Sequence, residues 1–137
     1  MNEIKCRVWD EETRSMLDIH EGSNFEVEVN AHGVLIFMRK NKPIKGVIML
    51  YTGLKDRNSK EICDGDILKA YIPNTTLTPT EIISPIIFKE GCFIHFKMNN
   101  SAMLVKDVIT LSNSPACNFS GVEILGNVYE NPELLNN

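Results

Sequence analysis

The sequence has little of what announces a chemistry. Its four cysteines, Cys6, Cys63, Cys92 and Cys117, never form a Cys-x-x-Cys pair, and a protein-held metal normally needs closely spaced ligands to fix its geometry. No metal site is expected. Cys6 and Cys92 fall in alternating runs, where a reduced cysteine is a small apolar filler, so buried thiols are expected. No apolar run approaches the ~20 residues that cross a bilayer as a helix, and no membrane partner is expected. The opening "MNEIKCRVWDEETR" carries acids early, unlike a signal peptide. Cytoplasmic location is the expectation, and without a secretory route the tripeptides "NTT", "NNS" and "NFS" carry no weight as glycosylation acceptors. Low-complexity tracts and internal repeats are missing too. So are the nucleotide-binding glycine patterns, the phosphate loop, the zinc-protease His pair and the Gly-x-Ser-x-Gly elbow. No cofactor and no enzymatic activity are expected.

What is present is the composition of a globular chain. Its 137 residues are 43% hydrophobic and 23% charged, enough for one domain or two small lobes. Residues 1–63 balance ten basic against ten acidic side chains, while residues 64–137 carry four against eight, which produces the net charge of −4. An acidic half is repelled by phosphates, which counts against a general nucleic-acid binder.

The dominant periodicity is two, the mark of strands with one buried face. "IKCRVW" puts Ile4, Cys6 and Val8 opposite Lys5 and Arg7, and "NFEVEV" does the same with Phe25, Val27 and Val29. A short strand is expected near Met16–Ile19. "GVLIFMRK" and "GVIMLYT" are continuously apolar, as in strands covered on both faces, with "NKPIKG" between them. Residues 1–52 therefore read as an antiparallel meander of four or five strands.

"TGLKDRNSKEICDGD" is turn-rich: Asp56 and Asn58 can bond the local backbone, Gly65 can take positive φ, and Asp66 can accept from a turn N–H. Strands follow at Ile67–Ile72, at Ile82–Lys89 with Pro85 marking an edge or bulge, and at Cys92–Met98, with Glu90-Gly91 as a hairpin turn. Ala102–Ile109 fits a short helix or an irregular strand. "VEILGNVYE" is a last strand, and in "NPELL" Asn131 reads as a helix cap with Leu134 and Leu135 folding back. About nine strands and little helix make the chain mainly β.

Few side chains invite a functional reading. His20, His32 and His95 are isolated; a packing or surface role is favoured over ligation. Asp64 and Asp66 bracket a turn glycine, where carboxylates usually cap. The basic stretch Arg39, Lys40, Lys42 and Lys45, with Tyr51 nearby to stack on bases, is the one candidate contact for nucleic acid or a partner. A loop simply solvated by its charge is the blander alternative. Ile82, Ile83, Ile86, Ile87 and Phe88 leave no polar face on their strand, which predicts cover by other parts of the chain or by another subunit.

"IKCRVWD", "YTGLKDRNSKEICDGDILK" and "VEILGNVYENPELL" together resemble the YopX-like proteins of bacteriophages and prophages, in family order and across nearly the whole chain. The sequence departs from the usual pattern at Ser59, often Gly in the family, and at Cys6 and Cys63, often aromatic. The resemblance implies a C-terminal SH3-like β-barrel, an uncharacterised role, a bacterial host cell and oligomers in some members; it brings no catalytic residues. The expectation is a meander over 1–52 packed on an SH3-like barrel over 67–131. Residues 53–66 connect them and 132–137 form a tail. Such a protein is a non-enzymatic interaction module, a homo-oligomer with a protein partner, with nucleic-acid binding through Arg39–Lys45 as the alternative.

Overall fold

Period-two alternation becomes extended chain along most of the sequence. The computed structural model describes residues 6–19, 26–29, 31–32, 35–39, 42–43, 46–74 and 78–135. Among them are thirteen strands, one α-helix and two 3-10 turns, so the protein is mainly β. Two compact units divide the chain, Met1–Leu50 and Tyr51–Asn137.

In the first unit β1 (Cys6–Asp10) folds back on β2 (Ser15–Ile19), with Asp10 opposite Ser15. Asp10 shapes the turn: its Oδ1 accepts the N–H of Glu12 at 2.9 Å and of Thr13 at 3.3 Å. Arg14, at φ 54, closes the turn with its guanidinium 5.9 Å from the Trp9 ring centre, within cation–π range. The next strands, β3 (Glu26–Val29), β4 (Leu35–Arg39) and β5 (Lys42–Pro43), pair in sequence order. β6 (Gly46–Lys55) then returns to β1 with its first half, placing Gly46 opposite Asp10 and Leu50 opposite Cys6. Of the apolar run "GVIMLYT", expected to be covered on both faces, Met49 is fully buried while Leu50 is 41% exposed. It behaves as a half-buried strand.

In the second unit the other half of β6 pairs with β7 (Glu61–Cys63). The stretch 53–66 thus contains strand ends and tight turns. β8 (Asp66–Ile72) is central, flanked by β9 (Thr80–Pro85) and, across the chain, by β13 (Glu123–Asn127). Between those lie β10 (Ile87–Lys89), β11 (Cys92–Met98) and β12 (Ser101–Leu104). Pro85 marks the break anticipated from sequence: β9 leaves β8 there, and after Ile86 the chain continues as β10 against β11. The two hairpins use two-residue turns with both central residues at positive φ, Glu90-Gly91 (53 and 80) and Asn99-Asn100 (51 and 66), the twist that matches paired strands.

The segment left between helix and strand is both. Ser101–Leu104 is β12, and α1 (Val105–Ser112) starts at the next residue. Val105 and Val108 bury the inner face of α1 in a core with Ile62, Leu68, Ala70, Ile86 and Val122. Ser112 fastens the other end, because its hydroxyl donates to Tyr71 O and accepts from Tyr71 N, both at 2.9 Å. Those are the backbone groups of β8 that lie beyond the pairing with β13, which stops at Lys69.

His95 takes the packing role. It is 2% exposed, its Nε2 lies 2.7 Å from Leu68 O, and its ring meets Phe96 edge-on at 5.4 Å. Nδ1 has no hydrogen-bond partner. Burial lowers its pKa below the ordinary 6.5, against a smaller opposing effect of the Leu68 and Ser84 backbone. An imidazole that is neutral when folded and protonates when unfolded makes the unfolded state bind more protons as pH falls. Its contribution is complete above about pH 6.5 and is lost below that value, with a slope of at most about 1.4 kcal/mol per pH unit. Urea denaturation between pH 7.5 and 5 should show this loss in the wild type and a shallower slope in His95→Leu; equal slopes would assign the loss elsewhere.

Candidate functional site

Three polar turns, at 56–60, 65–66 and 127–131, are built on side chains that bond the backbone. Asp56 follows β6, and its buried carboxylate closes the turn that begins there. Oδ1 accepts the N–H of Asn58 and of Lys60, each at 2.9 Å, and Oδ2 accepts the N–H of Ile124 in β13 at 3.0 Å. Arg57 N–H donates to Val122 O at 2.8 Å. The turn "DRNSK" is thereby fixed to a strand nearly seventy residues later. Ser59 sits at φ 64, the left-handed region that glycine occupies without strain.

Gly65-Asp66 is the second junction. Gly65 takes φ 86, as expected, and Asp66 Oδ2 accepts the Cys63 N–H at 2.8 Å. Gly65 N–H donates to Ile86 O and Ile86 N–H to Asp66 O, both at 2.8 Å, while Val128 N–H donates to Gly65 O at 2.9 Å. Asp66 is fully buried, so this carboxylate serves the turn and faces no cleft.

The third segment closes on itself. Asn127 Oδ1 accepts the N–H of Tyr129 at 3.0 Å and of Glu130 at 2.9 Å, and its Nδ2 donates to Glu130 Oε1 at 3.0 Å. Asn131, read from sequence as a helix cap, instead turns its Oδ1 to the Asn127 N–H at 3.2 Å. Only its backbone carbonyl serves the 3-10 turn Pro132–Leu135, by accepting from Leu134 N–H at 3.1 Å. Gly126 makes room for it: a Cβ there would lie 2.6 Å from Asn131 Cγ. Leu135 remains 38% exposed.

The basic stretch is described in part. Lys42 is exposed and stands opposite Arg39 in the β4–β5 pair, with only the backbone of Arg39 described. Lys40 and Lys45 lie outside the described residues. Tyr51 is half-buried, paired with Cys63, and belongs to the second unit. Cys92, expected as a buried filler, is exposed, because it opens β11 immediately after the hairpin turn, where the strand has not yet reached the core. Cys63 and Cys117 are buried thiols as expected.

Among the described residues no three His, Cys, Asp or Glu side chains group as metal ligands. A cavity of about 230 Å³ in the second unit is lined by Leu54, Cys92, Phe93, Leu104, Val105 and Lys106. Its lining offers apolar contact and a single cation. No described helix is long and apolar enough to cross a membrane.

Fold and junctions together define a small mainly-β protein whose distinctive polar residues hold its own turns. The chain belongs to the YopX protein family, whose model matches residues 5–136. It is similar to protein EF1440 from Enterococcus faecalis, at 26% identity and a TM-score of 0.57, covering 96% of this chain and 97% of that one. It also shares the fold of yopX from Bacillus subtilis, with 21% identity, a TM-score of 0.66, and 99% and 98% coverage. No curated protein matches.

Removing the Asp56 carboxylate strands three backbone N–H groups at once. Hydrogen bonds to a charged acceptor contribute about 1.5–3 kcal/mol each, and shared removal lets water recover part. Asp56→Ala should cost about 3 kcal/mol by urea denaturation, and Asp56→Asn less, since one oxygen still accepts. An unchanged midpoint in Asp56→Ala would show that the latch contributes nothing.

Proposed function

We propose that the chain is a non-enzymatic accessory protein of a bacteriophage or prophage, acting in the bacterial cytoplasm as a protein-interaction module that self-associates. The observation that carries this reading is β10. Among the described residues it is the terminal strand of its three-stranded sheet, paired with β11 alone. Ile87 is 54% and Phe88 44% exposed, and Phe88 rests on Phe93 with ring centres 4.8 Å apart. An apolar edge strand left in water invites another chain. The return of β13 to β8 supports reading 67–131 as an SH3-like roll, a scaffold that binds through loops and surface grooves. The side-chain oxygens of Asp56, Asp66, Asn127 and Asn131 accept from backbone N–H groups, which favours binding by apolar faces over catalysis by convergent acids and bases.

The nucleic-acid alternative needs Arg39, Lys40, Lys42 and Lys45 to neutralise phosphates, so binding must weaken linearly in log–log fashion as salt rises. Sedimentation equilibrium tests the preferred reading. The wild type should be heavier than one chain, and Phe88→Glu should shift the mass toward the monomer with its circular dichroism unchanged. A wild type that stays monomeric at every concentration reached would end the self-association proposal.

A further inference from the structure

Phe119 is the most exposed large apolar side chain described, at 69%. Its backbone is in the left-handed region at φ 54, directly after Asn118 at φ 55. Asparagine tolerates that region; a bulky aromatic residue there is an outlier. The protein therefore bears two unfavourable features at one residue, a strained backbone and a wetted ring, and recovers neither by packing within the chain.

The loop holding Phe119 is rigid by construction. After α1 the chain makes the 3-10 turn Pro115–Cys117. Phe119 N–H then donates to Ser114 O at 3.1 Å, Ser120 N–H to Cys117 O at 3.1 Å, and Gly121 N–H to Ser112 O at 2.9 Å. The hydroxyls of Ser114 and Ser120 add bonds of 2.7 Å to Leu111 O and Cys117 O. Cys117 is buried beneath them. Beside this loop lies the turn latched by Asp56: Arg57 N–H reaches Val122 O, and a Cβ on Gly121 would stand 3.3 Å from Arg57 Cβ. Arg57, Asn58, Ser59 and Lys60 are all exposed. The one carboxylate in the two loops, Asp56, is buried and turned to backbone N–H groups. What faces water is an aromatic ring on one loop and, on the loop beside it, two cations with Asn58 and Ser59.

We infer that the paired loops 56–60 and 114–121 form a docking surface that inserts Phe119 into an apolar pocket edged by carboxylates on a different protein. This rests on the reading of the chain as an interaction module and names a second surface of it, separate from β10. A strained aromatic residue on a hydrogen-bonded loop is what an interface anchor needs, because the backbone is ordered before the partner arrives. Arg57 and Lys60 set the charge of the partner's rim. Single-stranded nucleic acid fits less well: stacking platforms use successive aromatic rings in a positive groove, whereas residues 64–137 carry an excess of acid. A second copy of this chain fits less well too. The cavity beside Phe93 has room for a ring, but its charged lining residue is Lys106, which would oppose Arg57.

The test selects a random dodecapeptide display library on the immobilised full-length chain, with the Phe119→Asn variant as counter-selection, and measures the enriched peptides by fluorescence anisotropy. Phe119→Asn should melt no lower than the wild type, since asparagine suits the backbone and no packing is lost. Enriched peptides should combine an apolar segment with Asp or Glu. They should lose about tenfold or more in affinity to Phe119→Asn, and a similar factor to Arg57→Glu. Enrichment that ignores both substitutions, or no enrichment at all, overturns the proposal. So does a lower sedimented mass for Phe119→Asn, which would make the occupant a second copy. Weaker binding of that variant to a labelled oligothymidine would likewise replace the protein partner with nucleic acid. Phe88→Glu, by contrast, should leave peptide binding intact, so loss of self-association and loss of docking are read separately.

Discussion

The second unit depends on one buried junction at Gly65-Asp66. Four stretches of chain meet there: the end of β7, the start of β8, the corner at Ile86 and the turn after β13. Each brings a backbone group that burial would otherwise leave without a partner, and an unpaired group in such a place costs as much as a lost hydrogen bond. Gly65 makes the turn possible by taking φ 86, and the Asp66 carboxylate, removed from solvent, accepts the Cys63 N–H. Strands from distant parts of the sequence can only converge if their ends are satisfied in this way. The Asp56 latch repeats the device one turn earlier, bonding the start of the unit to Ile124.

Much of this was legible because local chemistry and tertiary structure agree. Glu90-Gly91 between two alternating runs is a hairpin in sequence and in space. Asp56, Gly65 and Asp66 perform the turn roles their residue types suggest, and Pro85 breaks its strand where a missing N–H requires it. Other features were set by distant partners. Nothing local says that β6 returns to β1 after the excursion through β3, β4 and β5. Asn131 has every mark of a helix cap, yet its side chain finds the nearer Asn127 N–H because Gly126 leaves it space. Ser101–Ser112 carries period two and then period 3.6 with no punctuation between them, so a single assignment for the segment could only be half right.

The candidate contact residues were harder to see, for a physical reason. Charge and aromaticity drew attention to Arg39, Lys40, Lys42, Lys45 and Tyr51, of which Lys40 and Lys45 lie outside the described residues. Phe119 lay inside "NSPACNFSG", a run of turn formers in which a lone aromatic residue has no periodic reason to exist. That isolation was the available signal. Hydrophobic residues on a strand or helix are explained by the core they face, whereas one placed between Asn and Ser in a tight loop has no core to face.

The residues that hold the turns and those proposed to make contacts are therefore different sets. Asp56, Gly65, Asp66, Gly126, Asn127 and Asn131 serve the turns, and that role is independent of what the protein contacts. Side chains such as Ile87, Phe88 and Phe119 do nothing for those turns and are costly in water. On the proposed reading, what such groups cost in a fold of marginal stability is recovered in contacts outside the chain. The family resemblance therefore transmits architecture with little information about role. The search for function belongs on the few places where this molecule is less stable alone than its architecture requires.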